Sequence, residues 1–386
     1  MRKNRSRAAL AVAAITATIP AVAAVGPVSA LGAGTHSHVD GRHTEGGLLK
    51  AAGAVPVVVG LDNPRQLSWD RSGRLLVAEA GHGSFGKPGT CIKSPEGTAC
   101  IGRSGKITRI AHPARGANRK PHRIATGFLS AAGKDGTFAI GSDGVSSRRG
   151  KTYVQQTWFP PKALRAAGFS LHQNGNLLTL NKRIVARISA FEFRHNPDGE
   201  VIEPRTDPYA VLALRHHILV ADAAGNDILS VRHGHVSVWA QLPGNTKKVD
   251  PVPTSLARTP NGSILVGTLY SLVPHKARVL RYSPSGHLQR TYRGFTAVTG
   301  VAAGPHGHVF ASELFAGCPP DAQPPACVAG RLTNIAPDGT RTRVPVPFPA
   351  GIAWRHGHLY VSAFSIAPSK GALGHPEFSG QVWRLR

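Results

Sequence analysis

The chain has 386 residues, with 46 Lys and Arg against 20 Asp and Glu, a formal net charge of +26. Gly (44) and Pro (30) are plentiful and Met occurs once, a turn-rich composition that argues against a helical bundle and for many short strands. So basic a chain concentrates polyanions around itself, although its bases are scattered and only "GANRKPHR" (116–123) and "SRRGK" (147–151) are dense.

At the start, Arg2, Lys3, Arg5 and Arg7 precede an apolar run over 8–25 that leads to small residues at Val28-Ser29-Ala30. A basic start, an apolar middle and an A-x-A-like end describe a secretory signal peptide over 1–30, cleaved after Ala30. The rival reading is an N-terminal membrane anchor, against which stand Pro20 and the modest hydrophobicity of alanine. Residues 31–52 read as a flexible leader. No later stretch approaches 18 apolar residues, so no transmembrane segment is expected in the mature chain. The expected location is secreted or extracellular, either released or cell-wall associated.

From residue 53 onward the chain repeats itself. "NPRQLSWDRSGRLLVAEAGHG" begins at Asn63, a weaker copy "GTFAIGSDGVSSRRGKTYVQQTW" at Gly136, and "DPYAVLALRHHILVADAAGN" at Asp207. "VPTSLARTPNGSILVGTLYS" begins at Val252, "AVTGVAAGPHGHVFASELFAG" at Ala297 and "PAGIAWRHGHLYVSAFS" at Pro349. Each is a short apolar strand, a turn usually containing Gly, and a second apolar strand ending in small or polar residues. Third strands follow as "GKITRI", "ARISAFEF", "DILSV", "ARVLRY", "GRLTNI" and "GQVWRLR". Fourth strands follow Pro-x-Gly turns in "NPDGEVIEP", "SPSGHLQRTY" and "APDGTRTRVPV", since Gly tolerates positive φ.

Six such units predict an all-β fold, a six-bladed β-propeller over 53–386. The last unit ends on a third strand, and the spare segment "AVPVVVG" (54–60) is expected to supply its missing fourth, closing the last blade and removing an open edge. Residues 158–183 read as an excursion of the second blade with a short helix. The cysteines fall as "CIKSPEGTAC" (91–100) and "CPPDAQPPAC" (318–327), each pair in a loop at the same place in two blades. In an exported chain they predict disulfides Cys91–Cys100 and Cys318–Cys327. Zinc is the alternative, but the spacing fits no C-x₂–₄-C pattern.

These units resemble the ScyD/ScyE family of exported bacterial proteins. The likeness is carried by "GLDNPRQLSWDRSGRLLVAEAG", "SGKITRI", "PYAVLALRHHILVADAAGNDILSV", "VPTSLARTPNGSILVGTLYS" and "VTGVAAGPHGHVFASELFAG", and it covers residues 55–386. "VADAAGND" is also similar to repeats of the broader NHL and TolB-like group. The resemblance implies a propeller and export, and implies no agreed chemical activity.

Aligned by their second strands, Glu79, Gln156, Asp222, Thr268, Glu313 and Ala363 share one repeated position. In a propeller this position gathers on one face, near the mouth of the channel. Two readings of Glu79, Asp222 and Glu313 follow. They cap strands by accepting backbone N–H bonds, or they bind a ligand or a hard cation such as Ca²⁺. The second would permit a metal-dependent channel hydrolase of lactonase type, by fold-level analogy. Three His-Gly-His triplets, at 233–235, 306–308 and 356–358, read as hairpin tips rather than metal sites, and His172 is a lone imidazole in the excursion. No catalytic residue is assigned, because no nucleophile elbow, zincin motif or phosphate loop occurs. The functional expectation is a monomeric binding or scaffold module, taking an unidentified ligand on the face of its disulfide loops. The alternatives are the hydrolase and an electrostatic binder of an anionic glycan or cell-wall polymer; no specific nucleic acid is expected.

Overall fold

The computed structural model of the protein describes residues 53–94, 97–115, 120–199, 205–244, 249–317, 329–372 and 375–385. The expected signal peptide, the leader and the Cys318–Cys327 pair lie outside these residues.

Six antiparallel sheets follow one another along the chain. Sheet I comprises Pro64–Trp69, Leu75–Glu79, Gly97–Ile110 and Arg123–Ala132, with Cys91–Ser94 paired to the start of its long third strand. Sheet II comprises Ser142–Arg148, Lys151–Gln156, Leu177–Thr179 and Ile184–Ala186; sheet III, Pro208–Ala213, Ile218–Asp222, Asp227–Arg232 and His235–Gln241. Sheet IV comprises Pro253–Arg258, Ile264–Thr268, Ala277–Tyr282 and Leu288–Phe295; sheet V, Val298–Ala303, Val309–Glu313, Arg331–Ile335 and Arg341–Pro345. Sheet VI holds Ile352–Arg355, His358–Ala363 and Gly380–Leu385, and its fourth strand is Ala54–Leu61, with Ala54 opposite Leu385 and Leu61 opposite Gly380.

The strand sequences explain their depth. The second strands LLVAE, ILVAD, ILVGT and VFASE are buried at every position. A strand covered by neighbouring sheets on both faces needs an unbroken apolar run, not an alternating one. The outer strands His235–Gln241 and Leu288–Phe295 instead carry mostly exposed residues. Each first strand neighbours the first strand of the next sheet, and that of sheet VI neighbours that of sheet I. Glycine makes this approach possible. A Cβ on Gly300 would lie 2.4 Å from the Ala350 carbonyl oxygen, and one on Gly351 would lie 2.5 Å from that of Arg65.

Sheet II departs from the expected strand assignment. "ARISAFEF" (186–193) is not its third strand. Leu177–Thr179 and Ile184–Ala186 complete the sheet, and Ile188–His195 is an α-helix. The sheet takes its third and fourth strands from residues before the helix, and the helix buries Ile188 and Glu192 one turn apart on one face. Asn196 caps it in the left-handed conformation, φ 43°, before Pro197. The short helix expected in the excursion is Pro161–Ala166. Cys91 and Cys100 form a disulfide across a β-hairpin rather than an irregular loop.

Candidate functional site at the ends of the second strands

All six aligned residues, Glu79, Gln156, Asp222, Thr268, Glu313 and Ala363, are the last residues of second strands. The three carboxylates are fully buried, and each accepts a backbone N–H from the segment entering its own sheet. Asp62 N–H donates to Glu79 Oε2 at 2.7 Å, Asp207 N–H to Asp222 Oδ1 at 2.6 Å, and Thr296 N–H to Glu313 Oε2 at 2.8 Å. A threonine hydroxyl donates to each as well, from Thr108, Thr206 and Thr333 respectively. The same clamp therefore closes three sheets, and each carboxylate is engaged within its own sheet. Thr268 does an analogous job with a hydroxyl, accepting from Arg278 N–H and donating to Arg278 C=O, both at 3.0 Å.

What neutralises the carboxylate differs. Glu313 lies opposite Arg331 in register, and the guanidinium grips it bidentately at 2.7 and 2.9 Å. Glu79 lies opposite Lys106 and has Arg123 Nε 3.6 Å from Oε1. Burial still raises its carboxyl above the usual range, against the pull of Arg123 and of its hydrogen bonds. Asp222 lies opposite Asp227. Asp227 is fully buried, and among the described residues neither of its carboxylate oxygens has a hydrogen-bond partner. Glu192 reaches the same place from its helix: a Cβ on Gly225 would lie 3.0 Å from Glu192 Oε2 and 3.3 Å from Asp222 Cγ. Burial, then the Asp222 and Asp198 charges, push the Glu192 carboxyl up to about 9. Burial pushes Asp222 up to about 6, against the hydrogen bonds it accepts. Burial and the charges of Glu192 and Asp222 hold Asp227 well above the carboxylate range. Asp207 follows for the same reason, beside Asp143 and Asp222. At neutral pH protons therefore offset the charge of Glu192, Asp227 and Asp207, while Asp222, raised only to about 6, keeps most of its own. Among the described residues, no three His, Cys, Asp or Glu side chains are grouped to hold one metal ion.

The same face carries residues that the repeat pattern did not single out. Asp62 accepts from Lys106 Nζ and, at 2.7 Å, from Ser369 N–H, joining sheet I to the loop of sheet VI. Burial opposes its charge, but Lys106 and Ser369 outweigh burial and hold its carboxyl low. His82 Nε2 stands 3.9 Å from Asp62 Oδ2, and the imidazole stacks on Phe85 with ring centroids 4.0 Å apart. Burial, with Lys106 and Lys370 adding to it, depresses His82 despite Asp62, which keeps the ring neutral. The available signal was the acid just before a first strand, in "LDNPRQ" and again in "TDPYA". At the axis Arg65, 2% exposed, donates to Ser365 C=O at 2.7 Å and lies 3.4 Å from Asp143. The cavity between the first strands there is only about 20 Å³, lined among others by Arg65, Tyr209, Thr254, Thr299 and Ala350. His172 contacts Lys182 C=O through Nε2 at 2.9 Å. The His-Gly-His triplets occupy the hairpin turns expected of them.

No protein-family model matches the chain, and no curated protein matches it. Its fold is similar to that of several solved structures. A streptogramin B lyase is 10% identical, with a TM-score of 0.43 over 86% of this chain and 96% of the lyase. A gluconolactonase from Xanthomonas campestris is 9% identical, with a TM-score of 0.42 over 87% of each chain. A protein of unknown function from Dyadobacter fermentans is 11% identical, with a TM-score of 0.47 over 86% of this chain and 98% of that one. Among the described residues, no helix is long and apolar enough to cross a membrane.

Proposed function

We propose that the protein is an exported binding module of the ScyD/ScyE kind, its six sheets closed into one ring by Ala54–Leu61 and its ligand taken by the face that carries the disulfide hairpin and Asp62. The observation that carries this reading over a channel hydrolase is the filled axis. A cavity of about 20 Å³ has room for roughly one water, and a substrate pocket is typically about 300–1,000 Å³. Glu79 and Glu313 serve as clamps in this reading. A panel of lactones and esters tests it. No turnover is expected from the wild type, and Glu79→Gln and Glu313→Gln should lower the unfolding midpoint. Turnover abolished by either substitution with the midpoint unchanged would establish the hydrolase instead.

A second reading concerns Ca²⁺ and is favoured by the open oxygens of Asp227 opposite Asp222. Two carboxylates supplemented by carbonyl oxygens suit a hard cation. A cation bound only by the native state raises the unfolding midpoint. A fall in midpoint on moving from Ca²⁺ to EDTA, lost in Asp227→Asn, is the expected signature; superimposable curves remove the cation from the account.

A further inference from the structure

The opposite face is built by the turns between first and second strands and between third and fourth strands. Where sheets VI and I meet there, it carries a groove of about 560 Å³, a volume typical of ligand sites. Arg74, Arg115, Arg355, His112, His356 and His358 line it. Asp70, in the turn beside Arg74, is already occupied. One oxygen accepts from Ser72 N–H and Arg74 N–H at 2.9 Å, and the other meets Arg74 Nε at 2.6 Å.

Arg355 is set differently. Its guanidinium lies 5.2 Å from the centroid of Trp69, which packs edge-on against Tyr360 at 5.3 Å. On another side it lies against the turn, where a Cβ on Gly73 would come within 3.0 Å of Nη2. An aromatic ring and a glycine turn thus fix a planar cation in advance of any ligand, so little side-chain entropy is lost when an oxyanion arrives. Among the described residues, neither Arg355 nor Arg115 is ion-paired with a carboxylate. The lining cations come from three separate turns, at 72–74, 111–115 and 355–358. A ligand with several spaced anions therefore meets more of them than a single ion does.

We infer that this groove between sheets VI and I binds a segment of an anionic cell-surface polymer, its oxyanions taken by Arg355 and Arg115. The groove lies on the face opposite Asp62 and the disulfide hairpin, and it stands whether or not that face binds a ligand. Carboxylate from uronic acids and phosphate from polyol phosphates are the two sources of the oxyanion, and both present the fork geometry that a guanidinium matches.

The mature chain would be titrated with a fluorescent oligogalacturonate and, separately, a fluorescent glycerol-phosphate oligomer, at stepped NaCl concentrations. One of the two should bind with an affinity that falls with salt, and which one binds tells the source. Arg355→Ala and Arg115→Ala should each weaken it about tenfold, the loss of one charge-assisted contact. Arg115 is exposed, so its variant keeps the fold even if Arg355→Ala does not. The double variant Arg148→Ala/Arg149→Ala, in a basic turn elsewhere, should change affinity less than about twofold, as screened surface charges do. Binding of neither oligomer, equal weakening by the control variant, or equally tight binding of a single-stranded oligonucleotide of matched charge would each overturn the inference.

Discussion

In sheet V the carboxylate that ends the second strand meets an arginine; in sheet III it meets another carboxylate. The backbone clamp is the same in both, a main-chain N–H from the entering segment and a threonine hydroxyl. Glu313 has its counter-charge built into the third strand at Arg331. Asp222 has Asp227 there and Glu192 above it. The repeat therefore preserves a hydrogen-bonding job while letting the electrostatic job change sign. In a chain of net charge +26, this sheet gathers buried acids, and among the described residues none of Glu192, Asp222 and Asp227 is ion-paired with a base. Like charges directly opposite on neighbouring strands are destabilising, and protons on Glu192 and Asp227 relieve that repulsion in sheet III.

The largest expected effect comes from breaking the clamp that has its base. Glu313→Ala strips the partners of Arg331, Thr333 and Thr296 N–H at once. Removing one member of a buried ion pair costs about 3–5 kcal/mol, which guanidinium unfolding at neutral pH would read. A loss under about 1 kcal/mol, within the range of a surface pair, would show that the clamp is dispensable.

Sheet III should respond with the opposite sign. Asp227→Asn removes a carboxylate with two unsatisfied oxygens and leaves an amide able to donate to its acidic neighbours. The expected gain above neutral pH is about 1–3 kcal/mol, the scale of an unsatisfied buried polar group. The pH dependence supplies the sign independently. Glu192 is raised from the ordinary glutamate range to about 9, so the native state holds a proton that the unfolded state releases near 4.5. The stability this contributes is complete below that lower value, declines as pH rises and is exhausted above about 9. Asp227 and Asp207 are raised as well and act in the same direction. Denaturant midpoints measured from pH 5 to 9 should fall, and Asp227→Asn with Glu192→Gln should flatten the slope. A slope unchanged in that double variant would mean that the group is already neutralised by something other than protons.

The contrast between the two sheets was partly written in the chain. The shared strand-end position was legible because an acid closes the same apolar run in "LLVAE", "ILVAD" and "VFASE". The counter-charge was legible too, since "GKITRI" and "GRLTNI" both place a base two residues before the threonine that reaches the carboxylate. "NDILSV" has Asp and Leu at those places, and its departure from the pattern marked sheet III. Glu192 was hidden by a local ambiguity. "ISAFEF" alternates as a strand does, while the segment is a helix that buries Ile188 and Glu192 beside a sheet whose four strands come from elsewhere. His82 was hidden differently, because its proximity to Asp62 depends on how one loop folds back over the sheet. The groove at sheets VI and I was out of reach for the same reason: it joins turns about 280 residues apart in sequence, at 72–74 and 355–358.

The smallest effect should come from the covalent bond. Cys91, on the added strand Cys91–Ser94, is directly opposite Cys100, which lies in the third strand of sheet I opposite Ala132, and the loop they close is short, with a sequence separation of 9. A closed loop this short restricts the unfolded chain by at most about 2–3 kcal/mol, and the outer strand Cys91–Ser94, paired on one side only, can open without the sheets, so the bond chiefly orders that strand. Cys91→Ser with Cys100→Ser should therefore cost less than about 1 kcal/mol in global unfolding. Amide exchange should rise locally over 84–101, where the hydrogen bond of Ile101 N–H to Thr90 C=O, at 2.9 Å, ties the hairpin base. A global loss comparable to that of Glu313→Ala would overturn this ordering. It would mean that the hairpin braces the face carrying His82 and Asp62, and that the disulfide is as structural as the buried clamps.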